Sequence, residues 1–226
     1  MNSPNEPAAT PESAATTPTR PRIGRTPGSK NSAMQDRAVR TREAIVAVAA
    51  RHFDTDGYGH TSINTIIGTG KFAKGAIYYH FPSKDAIAEH LISDWNHTLD
   101  DTIREAVDTD PGTTGGEKLT AIFISLARQV TENTNLRAGM KLTCEPTINN
   151  GAAFAHWVEV ISDIIETAIT EGELTDTPTT HRLAWNLCAG TIGAANASAT
   201  LREDIDLATR IEDAVTAQLR NVNTRA

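Results

Sequence analysis

Ala73-Lys74-Gly75-Ala76-Ile77-Tyr78-Tyr79-His80-Phe81 is the stretch of this 226-residue chain whose residue types best suit a specific chemistry, contact with a polyanion. On a short helix, Gly75 and Ala76 permit close approach of a surface. Lys74, Tyr78 and, a little further on, Lys84 can reach phosphate oxygens. The helix that opens at Ser83-Lys84 offers free N–H groups and a positive dipole end to another phosphate. Two short helices joined by a tight turn in a basic segment make a helix-turn-helix, whose second helix enters a major groove. Arg42, Lys71, Ala73, Tyr79 and His80 complete the candidate contact set. A second set is apolar. Trp95, Trp157 and Trp185 fall on three expected helices, where they either line a slot for a small amphiphile or fill a core.

Other spacings carry less. His90, Asp94, His97 and Asp101 recur at i, i+4, i+7 and i+11 and could seat a metal, but a solvated polar face is expected because one helix rarely encloses an ion. Gly112–Gly116 lacks the phosphate-loop pattern and a preceding strand. There is no G-x-S-x-G and no His/Cys/Asp set with catalytic spacing, so neither an enzyme nor a cofactor is expected.

Whole-chain charge argues against nucleic acid. The 21 Lys and Arg against 28 Asp and Glu leave a net −7, whereas nucleic-acid-binding domains are usually basic. The distribution reverses that reading. Arg20 to Lys84 holds eleven cations and four acids, net +7, while Asp85 onward holds ten cations and 22 acids, net −12. A basic N-terminal third is joined to an acidic remainder. Cys144 and Cys188 make no disulfide framework and are expected as reduced thiols. No apolar run suits a leader peptide or a spanning helix, so a cytoplasmic protein is expected.

The helical period runs throughout and no stretch alternates like a strand, so the expected fold class is all-α with about nine helices. Residues 1–33 hold six of the ten prolines and read as a disordered arm ending in spaced cations. Residues 34–84 read as the helix-turn-helix domain, and 85–226 as a helical ligand-binding and dimerisation domain. Ile45, Val48, Ala49 and Phe53 mark a first helix, about 37–56. Thr61 is the expected N-cap of the second, and the third covers about 73–79. Ser83 caps a long fourth helix to about 108, the partner expected to complete the small N-terminal core. Later helices are expected at about 117–133, 136–145, 152–172, 177–199 and 204–222. The wide apolar arc of 152–172, the uncharged Leu183–Ala197 and the stripe Ile211, Val215, Leu219 and Val222 suit a four-helix homodimer interface.

Thr41-Arg42-Glu43-Ala44-Ile45, Gly57-Tyr58, Thr61-Ser62-Ile63, Lys74-Gly75-Ala76-Ile77-Tyr78 and His80-Phe81-Pro82-Ser83-Lys84 together resemble the N-terminal signature of the TetR family. The resemblance implies a dimeric, ligand-responsive transcriptional repressor of double-stranded DNA. It places Thr61, Lys74, Tyr78, His80 and Lys84 at or near the duplex, and a small-molecule effector in an all-helical C-terminal domain. Two positions depart from the pattern. Lys71 and Ala73 stand where the family usually has Gly in the turn and Ser or Thr as the cap, with Gly70 one residue early. Either the turn is reshaped around Gly70, or Lys71 takes a left-handed backbone and adds a DNA contact that offsets the strain. Leu136-Arg137-Ala138-Gly139-Met140-Lys141-Leu142, His156-Trp157, Ala168 and Gly172-Glu173-Leu174 are similar to the γ-butyrolactone autoregulator receptors. That similarity implies that Trp157 lines the effector pocket and that Thr191 faces it, with Trp95 where related receptors can carry Gln.

Overall fold

A computed structural model describes residues 28–108, 110, 112–148, 150–200 and 206–223, and every regular element among them is a helix. Ten follow in order: α1 (Gly28–Thr55), α2 (Ile63–Gly70), α3 (Lys74–His80), α4 (Lys84–Val107), α5 (Gly115–Glu132), α6 (Thr134–Leu142), α7 (Gly151–Thr170), α8 (Pro178–His181), α9 (Leu183–Thr200) and α10 (Leu207–Asn223). Most of the expected arm lies outside the described residues, but the chain is helical from Gly28 rather than from about 37. Contacts divide the chain into a unit ending at Arg37 and a unit from Ala38 onward.

The extra helix comes from the stretch expected as 177–199. Thr177 accepts a hydrogen bond from the Thr180 N–H, Pro178 begins α8, and the Arg182 N–H turns back to Thr179 and Thr180. The Thr180 hydroxyl donates to the Thr175 carbonyl at 2.6 Å, which locks this tight turn before α9 starts. Ser62, not Thr61, caps α2 by accepting from the Thr65 N–H at 3.0 Å. Ser83 caps α4 as expected, accepting from Ala86 at 3.1 Å. Thr114 and Glu117 cap α5 reciprocally, each side chain binding the other residue's backbone N–H.

Two apolar clusters hold the second unit together. The N-terminal cluster joins Ile45, Ala49 and Phe53 of α1 with Ile66 of α2, Ile77 of α3, and Ile87 and Leu91 of α4. It is not completed by α4 alone: Ala138 and Leu142 of α6 belong to it. The larger cluster gathers Trp95, Phe123, Met140, Trp157, Leu187 and Cys188 with the inward stripe of α10. A Cβ at Gly139 would overlap the Leu91 carbonyl, so α6 lies directly against the backbone of α4 only because this residue has no side chain.

Candidate nucleic-acid interface and effector core

Of the two expected courses, the backbone of the turn before α3 follows the one that puts lysine in the left-handed region. Lys71 is left-handed, with φ 53° and ψ 36°, and its N–H closes α2 on the Ile67 carbonyl. Gly70 serves a different purpose: a Cβ there would collide with the Phe72 ring, which folds back over it. The glycine is consumed by that close approach, and the left-handed step falls on lysine at a cost of about 1 kcal/mol. Ala73 occupies the N-cap of α3 with φ −67° and ψ 135° and makes no side-chain cap.

On α3, Ile77 is buried and the opposite face is open. Lys71, Ala73, Lys74, Gly75, Tyr78 and Tyr79 are exposed, Tyr79 to 80% and Tyr78 to 46%. Gly75 faces open space, so nothing inside the protein requires a glycine there. His80 is half-buried, with its ring edge-on to Tyr79 at 5.0 Å.

Three members of the expected contact set are turned inward. Thr61 is 2% exposed and its hydroxyl donates to the Gly57 carbonyl at 2.9 Å. The Lys84 ammonium donates to the Tyr58 and Thr61 carbonyls at 2.9 and 3.0 Å and lies 3.8 Å from the centre of the Tyr58 ring. Its ammonium ties α4 to the loop that leads into α2. Arg42 donates to His90 Nε2 at 3.0 Å and lies 4.8 Å from the centre of the Phe81 ring. These three fasten the α1–α4 unit, with Thr61 buried and Arg42 and Lys84 half-buried. Burial, opposed by Asp94 and reinforced by Arg42, keeps the His90 pKa below its ordinary value. His90 and Asp94 stand 3.6 Å apart, while His97 bonds the Ser93 carbonyl of its own helix. Among the described residues no three metal-ligating side chains converge.

The aromatic set divides. Trp95 and Trp157 are fully buried and meet edge to face, with centroids 5.1 Å apart and planes at 73°. Phe123 and Phe154 flank Trp157 at 6.2 and 6.3 Å. Both indole N–H groups are buried and lack an acceptor, which costs about 1–3 kcal/mol for each such donor. Thr191 is buried on α9 one turn beyond Leu187, whose carbonyl accepts its hydroxyl at 2.8 Å. Trp185 is 58% exposed and does not join the aromatic core. On α9 the residues Ala184, Leu187, Cys188 and Thr191 face inward at i, i+3, i+4 and i+7, which turns Trp185 outward. Cys144 is exposed and Cys188 buried, both as free thiols.

One charged cluster has no counterpart in the sequence reading. Asp54, near the end of α1, accepts from Arg137 Nε at 3.1 Å and Nη2 at 2.9 Å, and from Lys141 Nζ at 2.8 Å. Its side chain is only 7% exposed. Burial pushes the Asp54 carboxyl up, but hydrogen bonds and charge from Arg137 and Lys141 outweigh it and hold the pKa below the ordinary value. Arg137 also donates to the Val130 carbonyl at 2.6 Å. The i, i+4 spacing of Arg137 and Lys141 was visible, but their shared acceptor lies 83 residues upstream of Arg137.

Residues 45–91 match the family model for bacterial regulatory proteins of the tetR family. The chain is 31% identical over 148 residues to the A-factor receptor protein of Streptomyces griseus, an alignment that covers 63% of this chain and 49% of that receptor. The chain thus spans about half the length of that curated relative. It is 27% identical to a TetR regulator from Streptomyces fradiae, covering 83% of this chain and 89% of that one with a TM-score of 0.61. It shares the fold of CprB from Streptomyces coelicolor, solved with its operator sequence, at 21% identity and a TM-score of 0.60, covering 84% of this chain and all (100%) of that one. Among the described residues no helix is long and apolar enough to cross a membrane. Residues 45–91, which hold the helix-turn-helix, thus match the tetR family of bacterial regulatory proteins, and the chain is similar in fold to solved TetR regulators.

Proposed function

We propose that this protein is a ligand-responsive transcriptional repressor that binds a pseudo-palindromic operator as a homodimer in the cytoplasm. A small amphiphilic signal of the γ-butyrolactone type releases it. The observation that carries this reading is the outer face of α3, where Lys74, Gly75, Tyr78 and Tyr79 stand exposed behind the left-handed Lys71. A seven-residue helix with a glycine facing open space is shaped for close approach to a groove floor. Lys71, Lys74 and Tyr78 contact phosphates, and Ala73, Gly75, Tyr79 and His80 lie at or near base edges. The effector sits by Trp95, Trp157 and Thr191, a reading supported by the similarity to the A-factor receptor. Trp185, Gly190 and Gly193 expose one side of α9, where a second copy packs closely. Displacement at the aromatic core reaches the DNA-binding unit through α4 and α6 and moves the two recognition helices out of register.

A band shift on the gene's own upstream region tests the reading. Binding should be lost steeply as salt rises, and α-hexanoyl-γ-butyrolactone should release the DNA. Salt-independent binding would remove the phosphate contacts, and an undiminished shift at saturating lactone would remove that effector class.

A further inference from the structure

Outside the aromatic core, we propose that the groove between α4 and the entrance to α7 is a second binding site, for a linear polyamine. Glu89, Asn96, His97 and Asp100 of α4 line this groove of about 410 Å³, and Asn150 and Ala153 face them across it. These side chains offer mainly acceptors. Asn96 Oδ1 is buried without a donor, although such atoms are nearly always paired in folded proteins. A half-turn of the amide, whose two ends have the same shape, brings that oxygen to the groove. The Asn150 amide nitrogen is committed to the Leu142 and Glu145 carbonyls, so its oxygen is what remains. His97 Nδ1 donates to the Ser93 carbonyl at 2.7 Å, which leaves Nε2 of the neutral ring as a lone pair. Glu89 and Asp100 add exposed carboxylates. Among the described residues that line the groove there is no Lys or Arg.

The complement is an occupant that donates at several points and carries positive charge. Spacing decides its form. Glu89 and Asp100 lie about 16 Å apart along α4 at 1.5 Å per residue. A metal ion cannot meet both, and among the described residues no three ligating side chains converge. A single ammonium meets one. A linear polyamine meets both ends, with its inner N–H groups beside Asn96 and His97 and its methylenes on Ile92 and Ala153. Bound there, it bridges α4 to Asn150, which itself holds the end of α6 through the Leu142 carbonyl. The site is independent of the effector reading and stands or falls without it.

Calorimetry on the full chain in the absence of DNA tests this with spermine, hexylamine and Mg²⁺. Spermine should saturate one site per chain, raise Tm and bind about tenfold or more tighter than hexylamine, which has one ammonium. Glu89→Gln removes a carboxylate, and Ala152→Trp fills the groove from an exposed position. Each should weaken spermine by about tenfold. Glu212→Gln makes the same charge change at an exposed site on α10 and should alter affinity by less than about twofold. Mg²⁺ at equal concentration should not displace spermine. Equal losses in Glu89→Gln and Glu212→Gln, or displacement by Mg²⁺, would mean general attraction to an acidic body and overturn the inference. So would hexylamine binding as tightly as spermine, unchanged affinity in a folded Ala152→Trp, or no saturable spermine binding.

Discussion

Removing the Arg137 guanidinium is the sharpest test of how the DNA-binding unit is joined to the helical body. Arg137→Ala leaves the Asp54 carboxylate, 7% exposed, with Lys141 as its remaining cation and frees the Val130 carbonyl. Breaking a buried pair by deleting one partner costs about 3–5 kcal/mol. Arg137 is 21% exposed and Lys141 stays at 2.8 Å, so the lower end, about 3 kcal/mol, is expected. For a chain of this size that lowers Tm by about 6–12 °C, read at fixed protein concentration. The pH dependence fixes the cause. Since the folded pKa of Asp54 lies below its ordinary 3.8, its contribution is complete above that value and is lost as pH falls through the folded value. The gap between parent and Arg137→Ala should therefore be full at neutral pH and close under acid conditions. A loss under about 0.5 kcal/mol, the scale of an exposed pair, or a gap that persists unchanged in acid, would refute the reasoning.

The other predictions are shorter. Lys74→Ala should weaken binding to every duplex and lower the salt slope by about one contact; an unchanged slope in a salt titration removes Lys74 from the phosphates. Lys84→Met should instead lower stability in urea by about 1–3 kcal/mol, because two buried carbonyls lose their charged donor, while the salt slope holds. For His90 the folded pKa is depressed below 6.5, so its contribution is present above that value and lost as pH falls through the folded value. His90→Gln should flatten the stability profile in that acidic window. Gly139→Ala should separate α4 from α6 and destabilise the chain by about 1–3 kcal/mol, as overpacking does; thermal unfolding checks it.

Most of the fold was legible because it follows from a single periodicity. Ile45, Val48, Ala49 and Phe53 read as one face of the first helix and are buried. The candidate contact set was legible by residue type, but the partners these side chains take within the protein were not. Thr61, Lys84 and Arg42 were expected at or near the duplex, but a hydroxyl or cation also bonds nearby protein acceptors. The Gly57, Tyr58 and Thr61 carbonyls and His90 compete for them. For Arg42 that acceptor lies 48 residues away, which no local pattern reveals. Trp185 was avoidable: the phase of Ala184, Leu187, Cys188 and Thr191 already turns it outward. Gly70 was not, since its role depends on the Phe72 ring folding back.

The sequence points to the long α4 as the link between the two halves, yet α6 has the stronger physical claim. In nine residues it places Ala138 and Leu142 in the N-terminal cluster and Met140 in the aromatic one. Arg137 and Lys141 grip the end of α1 through Asp54, and Gly139 sets the helix against the α4 backbone at Leu91. Trp95 is one turn further along α4. A helix so constrained cannot yield a little at each contact, because packed interiors shift between discrete arrangements and do not stretch. On the proposed effector reading, a ligand between Trp95 and Trp157 would move α6 as a body. That movement either carries α1 along through the Asp54 grip or breaks it. Since the grip is a charge pair shielded from water, carrying α1 along would be the lower-energy course, and α3, packed with α1 through Ile77, would turn with it.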